Sequence, residues 1–186
     1  MKDVKRLVEQ TISSTKLFGG KLLQVYRDEA RLPGGSVGTR EWIKHPGACA
    51  VVPFFENGDV MLVRQYRYPM RQVFYEVPAG KIDPGEDLNE TALRELQEEA
   101  GVTAKELEYI GHFYPCIGYS DEVIHYYVAW DLEMIPQQTD NDEFLEPFRL
   151  PFMDAVAMVH NGEINDGKTV LCLLRALKWW EENAPK

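Results

Sequence analysis

Residues 80–102 read GKIDPGEDLNETALRELQEEAGV, and the fold turns on how the second half of that stretch is understood. Asp87 or Asn89 can cap a helix here, and Gly101 ends it as a left-handed C-terminal residue. At about 100° per residue, Ala92, Leu93, Leu96 and Ala100 share one apolar arc, which marks a side that faces a core. Glu95, Glu98 and Glu99 occupy the adjacent arc, with Glu99 bordering the apolar stripe. These three are i, i+3 and i+4 neighbours, and a like-charged pair at such spacing destabilises a helix by roughly 0.2–0.5 kcal/mol.

A solvated acidic face is one explanation, and it predicts Lys or Arg at i+4. Glu95 faces Glu99 instead, although Arg94 does face Glu98. A cation site is the other, and on these residues alone the two stand level. Magnesium prefers hard oxygen ligands, and carboxylates one helical turn apart can share such an ion. DPGEDLNETALRE lacks the alternating ligands and central Gly of an EF-hand, and the absence of nearby His or Cys argues against zinc.

Working outward, Gly80 is followed after five residues by Glu86, and after seven more by Arg94-Glu95-Leu96. Glu98-Glu99 and Gly101-Val102 complete the pattern. At every fixed position this resembles the signature of the Nudix hydrolases. The resemblance implies an α/β/α sandwich with a mixed central sheet. It also implies hydrolysis of a nucleoside diphosphate linked to another moiety, by a water activated on divalent metal. Glu95, Glu98 and Glu99 then match the metal ligands, with Glu99 the shared one, Glu98 also counted as catalytic, and the Ala79 carbonyl as a further ligand. Mg²⁺ is the implied cofactor and Mn²⁺ its substitute. Arg94 and Glu86 match positions that hold loop and helix together.

The remaining sequence bounds the reading. A chain of 186 residues, 45% hydrophobic, supports one substantial core with at most a small accessory layer. Its net charge of −10, without a dense Lys/Arg block, disfavours nucleic acid as a partner. An acidic chain can still take a small anionic substrate when a metal supplies local positive charge. No stretch approaches membrane-spanning length, and the start has no apolar run of signal-peptide length. Cys49, Cys116 and Cys172 are too far apart for a disulfide framework or zinc cluster, and fit free thiols in a reducing cytoplasm.

Along the chain, residues 1 to about 16 read as a partly amphipathic lead, and residues 17–43 as antiparallel strands around PGGSVG. ACAVVPFF and VMLVRQYRY around Asn57-Gly58 form the clearest hairpin pattern. LEYIGHFY and EVIHYYVAWDL are further strands. DGKTVLCLLRALKWWEENA reads as an amphipathic helix with Val170, Leu173, Leu174, Leu177 and Trp180 on its core side. The class is mixed, α+β.

GTREWIKHPGA, VRQYRYP, FYEVPAGKIDPGE and GYSDEVIHYYVA resemble the ADP-ribose and nucleoside diphosphate sugar pyrophosphatase branch of that family. The branch implies a β-rich layer over residues 1–45 used in homodimerisation, followed by a hydrolase domain over 46–186. It implies phosphate contacts from Arg67 and, more weakly, Arg64, and second-sphere or ribose contacts from Glu76 and Glu122. Trp42 and Phe18 are candidates to stack on a base or to fill a core. The general base is expected from the acidic loop TDNDEFLEP, with Glu143 first and Glu146, Asp142 and Asp140 after it. ADP-ribose-selective members carry a proline about fifteen residues past the motif. Ile117 stands there, with Pro115 two positions early, which favours a broader range of nucleotide sugars. A ligand-sensing module without turnover is the competing reading, but such modules often lose motif carboxylates and here all are present. Cleavage of nucleoside triphosphates, dinucleotides or coenzyme A is the alternative among enzymes.

Overall fold

The computed structural model describes residues 4–138 and 144–183. The chain divides into two compact units. One ends at His45 and also takes in Cys116–Glu122; the other runs over Pro46–Pro115 and resumes at Val123.

The first unit is an antiparallel sheet of three strands in the order β1 (Gln10–Gly19), β2 (Gln24–Arg31) and β3 (Val37–Lys44). Its β2–β3 register runs unbroken from Gln24↔Lys44 to Arg31↔Val37. The turn between them closes through Gly35 N–H to the Leu32 carbonyl at 2.8 Å, with Gly35 at φ +90°, where glycine is favoured. Within the expected amphipathic lead, Val4–Leu7 form a short 3-10 turn and the chain from Gln10 onward is strand. Thr11, Ile12 and Thr15 are β-branched, and β2 offers a partner edge, so β1 pairs along it with two shifts of register. Every residue of β1 is exposed in the single chain. The GYSD segment joins this unit: Ile43 N–H donates to the Tyr119 carbonyl at 2.8 Å, and His45 N–H to the Asp121 carboxylate at 2.7 Å.

In the second unit, β4 (Ala48–Pro53), β5 (Asp59–Arg67), β6 (Gln72–Glu76), β7 (Ala79–Lys81), β8 (Val102–Phe113), β9 (Ile124–Met134) and β10 (Leu145–Pro151) form two sheets. One has the order β7-β4-β9-β8 and the other β10-β5-β6. β4 is wholly buried, and its alternation explains the layers. Ala48, Ala50 and Val52 enter one apolar cluster with α2 (Phe152–Asn161) and α3 (Gly167–Asn183). Cys49 and Val51 enter another with Ala92, Leu96 and Ala100 of α1 (Leu88–Ala100). Two faces of one strand buried against helices make the α/β/α sandwich, each fully buried Val or Leu contributing about 1.5–3 kcal/mol.

The expected β4–β5 hairpin is not a paired ribbon. The turn forms, with Phe55 N–H on the Asp59 carbonyl at 2.9 Å and a single bridge at Phe54↔Val60. Both edges of β4 are already taken, by β9 in parallel and β7 in antiparallel register, so β5 departs into the other sheet.

Helix α1 starts on a capping box: Asn89 N–H donates to Asp87 at 2.8 Å, and Glu90 reaches back to the Asp87 N–H at 3.5 Å. Gly101, at φ 63°, closes it. Its buried face is turned from the expected one, since Glu95 and Glu99 are buried while Leu93 is half-buried. On α3 the fully buried positions are Thr169, Cys172, Leu173 and Ala176, and Val170, Leu174 and Leu177 lie half-buried. Small Cys172 and Ala176 let the helix approach closely, while Trp179 and Trp180 stack on Phe54 at 4.7 and 5.6 Å.

Candidate active site

The site is built on α1 and the loop that precedes it. Arg94 is its hub. Its Nε and Nη2 donate to the two oxygens of Glu86 at 2.8 and 3.0 Å, and Nη2 also reaches the Lys81 carbonyl at 3.0 Å. Nη1 lies between Glu95 (2.7 Å) and Glu98 (2.8 Å). One guanidinium thereby ties the loop to the helix and bonds to three carboxylates. Hydrogen bonding by Arg94 brings the Glu86 carboxyl down to about 2, with Thr91 and the Asp83 N–H adding to it against a smaller opposing effect of burial.

Glu95 and Glu99 are 7% and 6% exposed, burial that an ionised carboxylate tolerates only with compensation. Glu99 accepts the Ala79 N–H at 2.8 Å, which fixes the start of β7 to the helix. Glu95 packs directly on Gly80, where an added Cβ would sit 2.0 Å from a carboxylate oxygen. The glycine is required for close approach. Gly80→Ala is therefore expected to displace Glu95 and lower turnover at least about tenfold, with a small change in melting temperature. Parallel rate and thermal-melt measurements check this.

The donor chemistry fits a hard divalent cation: three carboxylates at i, i+3 and i+4 on one helix. Among the described residues no three His, Cys, Asp or Glu side chains converge as a ready-made cage. A guanidinium nitrogen stands between Glu95 and Glu98 instead, supplying positive charge there. Glu98, 38% exposed, is the member with room to turn.

Arg67 lies on the same unit, and its pKa is raised first by the hydrogen bonds with Glu76, with Glu99 among the lesser charges that act on it. Nε and Nη2 grip the two oxygens of Glu76 at 2.7 and 2.6 Å. Glu76 is 2% exposed and is held by Lys168 as well. Burial pushes the Glu76 carboxyl up, and Arg67 with Lys168 outweighs it, so the net shift is downward. Lys168 also pairs with Asp166 at 2.8 Å, and Thr169 bridges Asp166 to the Val77 N–H. The sequence reading missed Lys168 and Asp166. The available signal was a D-x-K-T start to an apolar helix, which is also a cap pattern.

The other candidates engage partners of their own. Arg64 pairs weakly with Glu146 at 3.5 Å and lies over the Phe148 ring at 4.8 Å. Glu146 is therefore a strand residue opposite Arg64. Trp42 stacks on Tyr26 at 5.1 Å and donates to Asp28 at 3.0 Å, and Phe18 is exposed. The Glu122 N–H donates to Ser120 Oγ at 3.2 Å, and the Glu122 carboxylate approaches His45 Nδ1 at 3.8 Å. Trp42, Phe18 and Glu122 belong to the first unit. Glu143, Asp142 and Asp140 lie outside the described residues.

An α/β/α sandwich carrying these glutamates on one capped helix, behind a glycine-started loop, is the frame of a hydrolase acting on phosphoric anhydrides. Residues 43–174 match the NUDIX domain, and the chain belongs to that family, in the branch of the ADP-ribose pyrophosphatases. It is 39% identical over 172 residues to "ADP-ribose pyrophosphatase" of Bacillus subtilis (strain 168), covering 91% of this chain and 93% of the relative. It is 36% identical over 171 residues to "Methanol dehydrogenase activator" of Bacillus methanolicus, covering 91% and 92%. The crystal structure of an ADP compounds hydrolase superposes with a TM-score of 0.85 over 95% of this chain and 96% of that one, at 22% identity, a likeness of fold.

Proposed function

We propose that this protein hydrolyses the pyrophosphate of nucleoside diphosphate sugars, ADP-ribose among them, with Mg²⁺ as cofactor and Mn²⁺ able to replace it. The products are a nucleoside monophosphate and a sugar phosphate. The observation that carries this reading is the complete set of Glu95, Glu98 and Glu99, two of them buried, on a helix locked to Gly80 and Glu86. These three carboxylates and the Ala79 carbonyl hold the cation. When bound, the cation supplies charge for the phosphate oxygens and lowers the pKa of an attacking water.

The chain's own residues divide the remaining work. Arg67 binds a phosphate through Nη1, which has no partner among the described residues, while Glu76 fixes its guanidinium. Of its expected second-sphere or ribose contact, Glu76 supplies the second-sphere one, acting as a positioning residue because Arg67 and Lys168 engage its carboxylate. Arg64 gives a weaker phosphate contact. Trp42 and Glu122 serve base and ribose, Glu143 withdraws the proton, and Glu98 would join Glu95 and Glu99 in the donor set. A homodimer formed through the 1–45 layer is supported by the exposure of all of β1, including Ile12, Leu17 and Phe18.

A selective ADP-ribose pyrophosphatase is the second reading, favoured by the name of the Bacillus subtilis relative. A panel of ADP-ribose, GDP-mannose, ADP-glucose and UDP-glucose with Mg²⁺ separates the two. Comparable monophosphate release from several members supports the broad reading, and release from ADP-ribose alone supports the selective one. No release from any member with either metal rejects both.

A further inference from the structure

We propose that Tyr109, His112 and His125 form a binding site for a transition-metal dication that favours imidazole, namely Cu²⁺, Ni²⁺ or Zn²⁺. These residues are none of those that make up the glutamate site on α1. His112 of β8 lies directly opposite His125 of β9, and Tyr109 lies opposite Tyr127. In a regular strand Tyr109 and His112, three positions apart, would face opposite sides of the sheet. The register shifts between Tyr109 and Gly111, and this bulge adds the residue that brings both side chains to one face. Gly111 holds the bulge at φ +132°, a conformation favoured by glycine.

The three polar atoms converge. Tyr109 Oη lies 3.0 Å from His112 Nδ1 and 3.3 Å from His125 Nδ1, with the imidazole centroids 5.9 Å apart. With metal–nitrogen bonds of about 2.0–2.1 Å, neighbouring ligand atoms stand about 3.3 Å apart on a tetrahedron and about 2.9 Å apart on a square plane. The two observed separations match such edges. A single phenol proton can be donated to only one Nδ1 at a time, so the three groups already share protons around one point. Two imidazoles and a phenol oxygen suit borderline dications, whereas Mg²⁺ prefers the all-oxygen set on α1.

His125 is half-buried, and burial, followed by the nearby His112, lowers its pKa, keeping it neutral as a ligand must be. His112 and Tyr109 are exposed, which gives the ion its entry. On binding, both imidazoles coordinate through Nδ1, the phenol proton leaves to solvent, and phenolate oxygen takes the third corner with water completing the sphere.

Calorimetric titration of the full chain with Ni²⁺ in excess Mg²⁺, with phenolate difference absorbance recorded alongside, tests this. The expected result is one ion per chain together with a phenolate signal. Binding should weaken at least about tenfold in His112→Ala. Tyr109→Phe should retain binding and lose both the phenolate signal and the released proton. Unchanged Ni²⁺ affinity in a folded His112→Ala/His125→Ala variant would overturn the proposal, as would the absence of binding to the parent. Should that double variant fail to fold, His112→Ala alone decides, because His112 is exposed.

Discussion

Glu99→Gln is expected to lower turnover by about two to four orders of magnitude while the protein stays folded. The side chain is 6% exposed and accepts the Ala79 N–H, a bond that an amide oxygen of the same shape can keep. Burying a neutral amide in place of a carboxylate also removes the repulsion between residues 95 and 99, so the melting temperature should hold or rise. What disappears is a negative charge where the cation is to be held. Metal stabilisation of developing charge is worth several kcal/mol. At about 1.4 kcal/mol per tenfold, that corresponds to the stated loss. Initial rates of monophosphate release and a thermal melt read the two halves of the prediction. Activity within about tenfold of the parent would mean that Glu99 is not the shared ligand.

Arg94→Ala is expected to act in the opposite way, chiefly on stability. The substitution leaves Glu86, Glu95 and Glu98 without the guanidinium that engages all three, and Glu95 is buried. Breaking a buried pair costs about 3–5 kcal/mol, and screening at exposed Glu98 reduces this to about 2–4 kcal/mol. The melting temperature should fall by roughly 5–15 °C. Mg²⁺ should raise it more in the variant than in the parent, because a cation near Glu95 and Glu98 supplies part of the missing charge. Acid titration gives a second reading. Glu86 has a depressed pKa, so its contribution is fully present above its ordinary value near 4.5 and is lost as pH falls toward about 2. In the variant that loss should largely vanish. An unchanged melting temperature would contradict the role of Arg94 as the hub.

The parts legible in the sequence are those in which local chemistry and fold agree. Asp87 and Gly101 bracket α1 as their side-chain and backbone preferences dictate, and the spacing from Gly80 to Val102 carried the family. The periodicity of α1 placed the glutamates beside the core stripe, but Glu95 and Glu99 lie within it. A charge pattern does not reveal that Gly80 makes room for one carboxylate or that the Ala79 N–H receives the other. The hairpin expectation failed because turn chemistry at Asn57-Gly58 does not say which edges of β4 are already occupied. Lys168 and Asp166 were missed because Lys168, which Asp166 pairs with locally, reaches its other partner Glu76 across 92 residues. Sequence spacing reports neighbours on one element and is silent on contacts between elements.

Hydrolysis of ADP-ribose in ¹⁸O-labelled water, with Mg²⁺ and then with excess chelator, tests the central claim most directly. The account predicts AMP and ribose 5-phosphate, with the label in one of the two phosphates, and loss of both products on chelation. Undiminished product formation in chelator, or no monophosphate with Mg²⁺ or Mn²⁺, would contradict it.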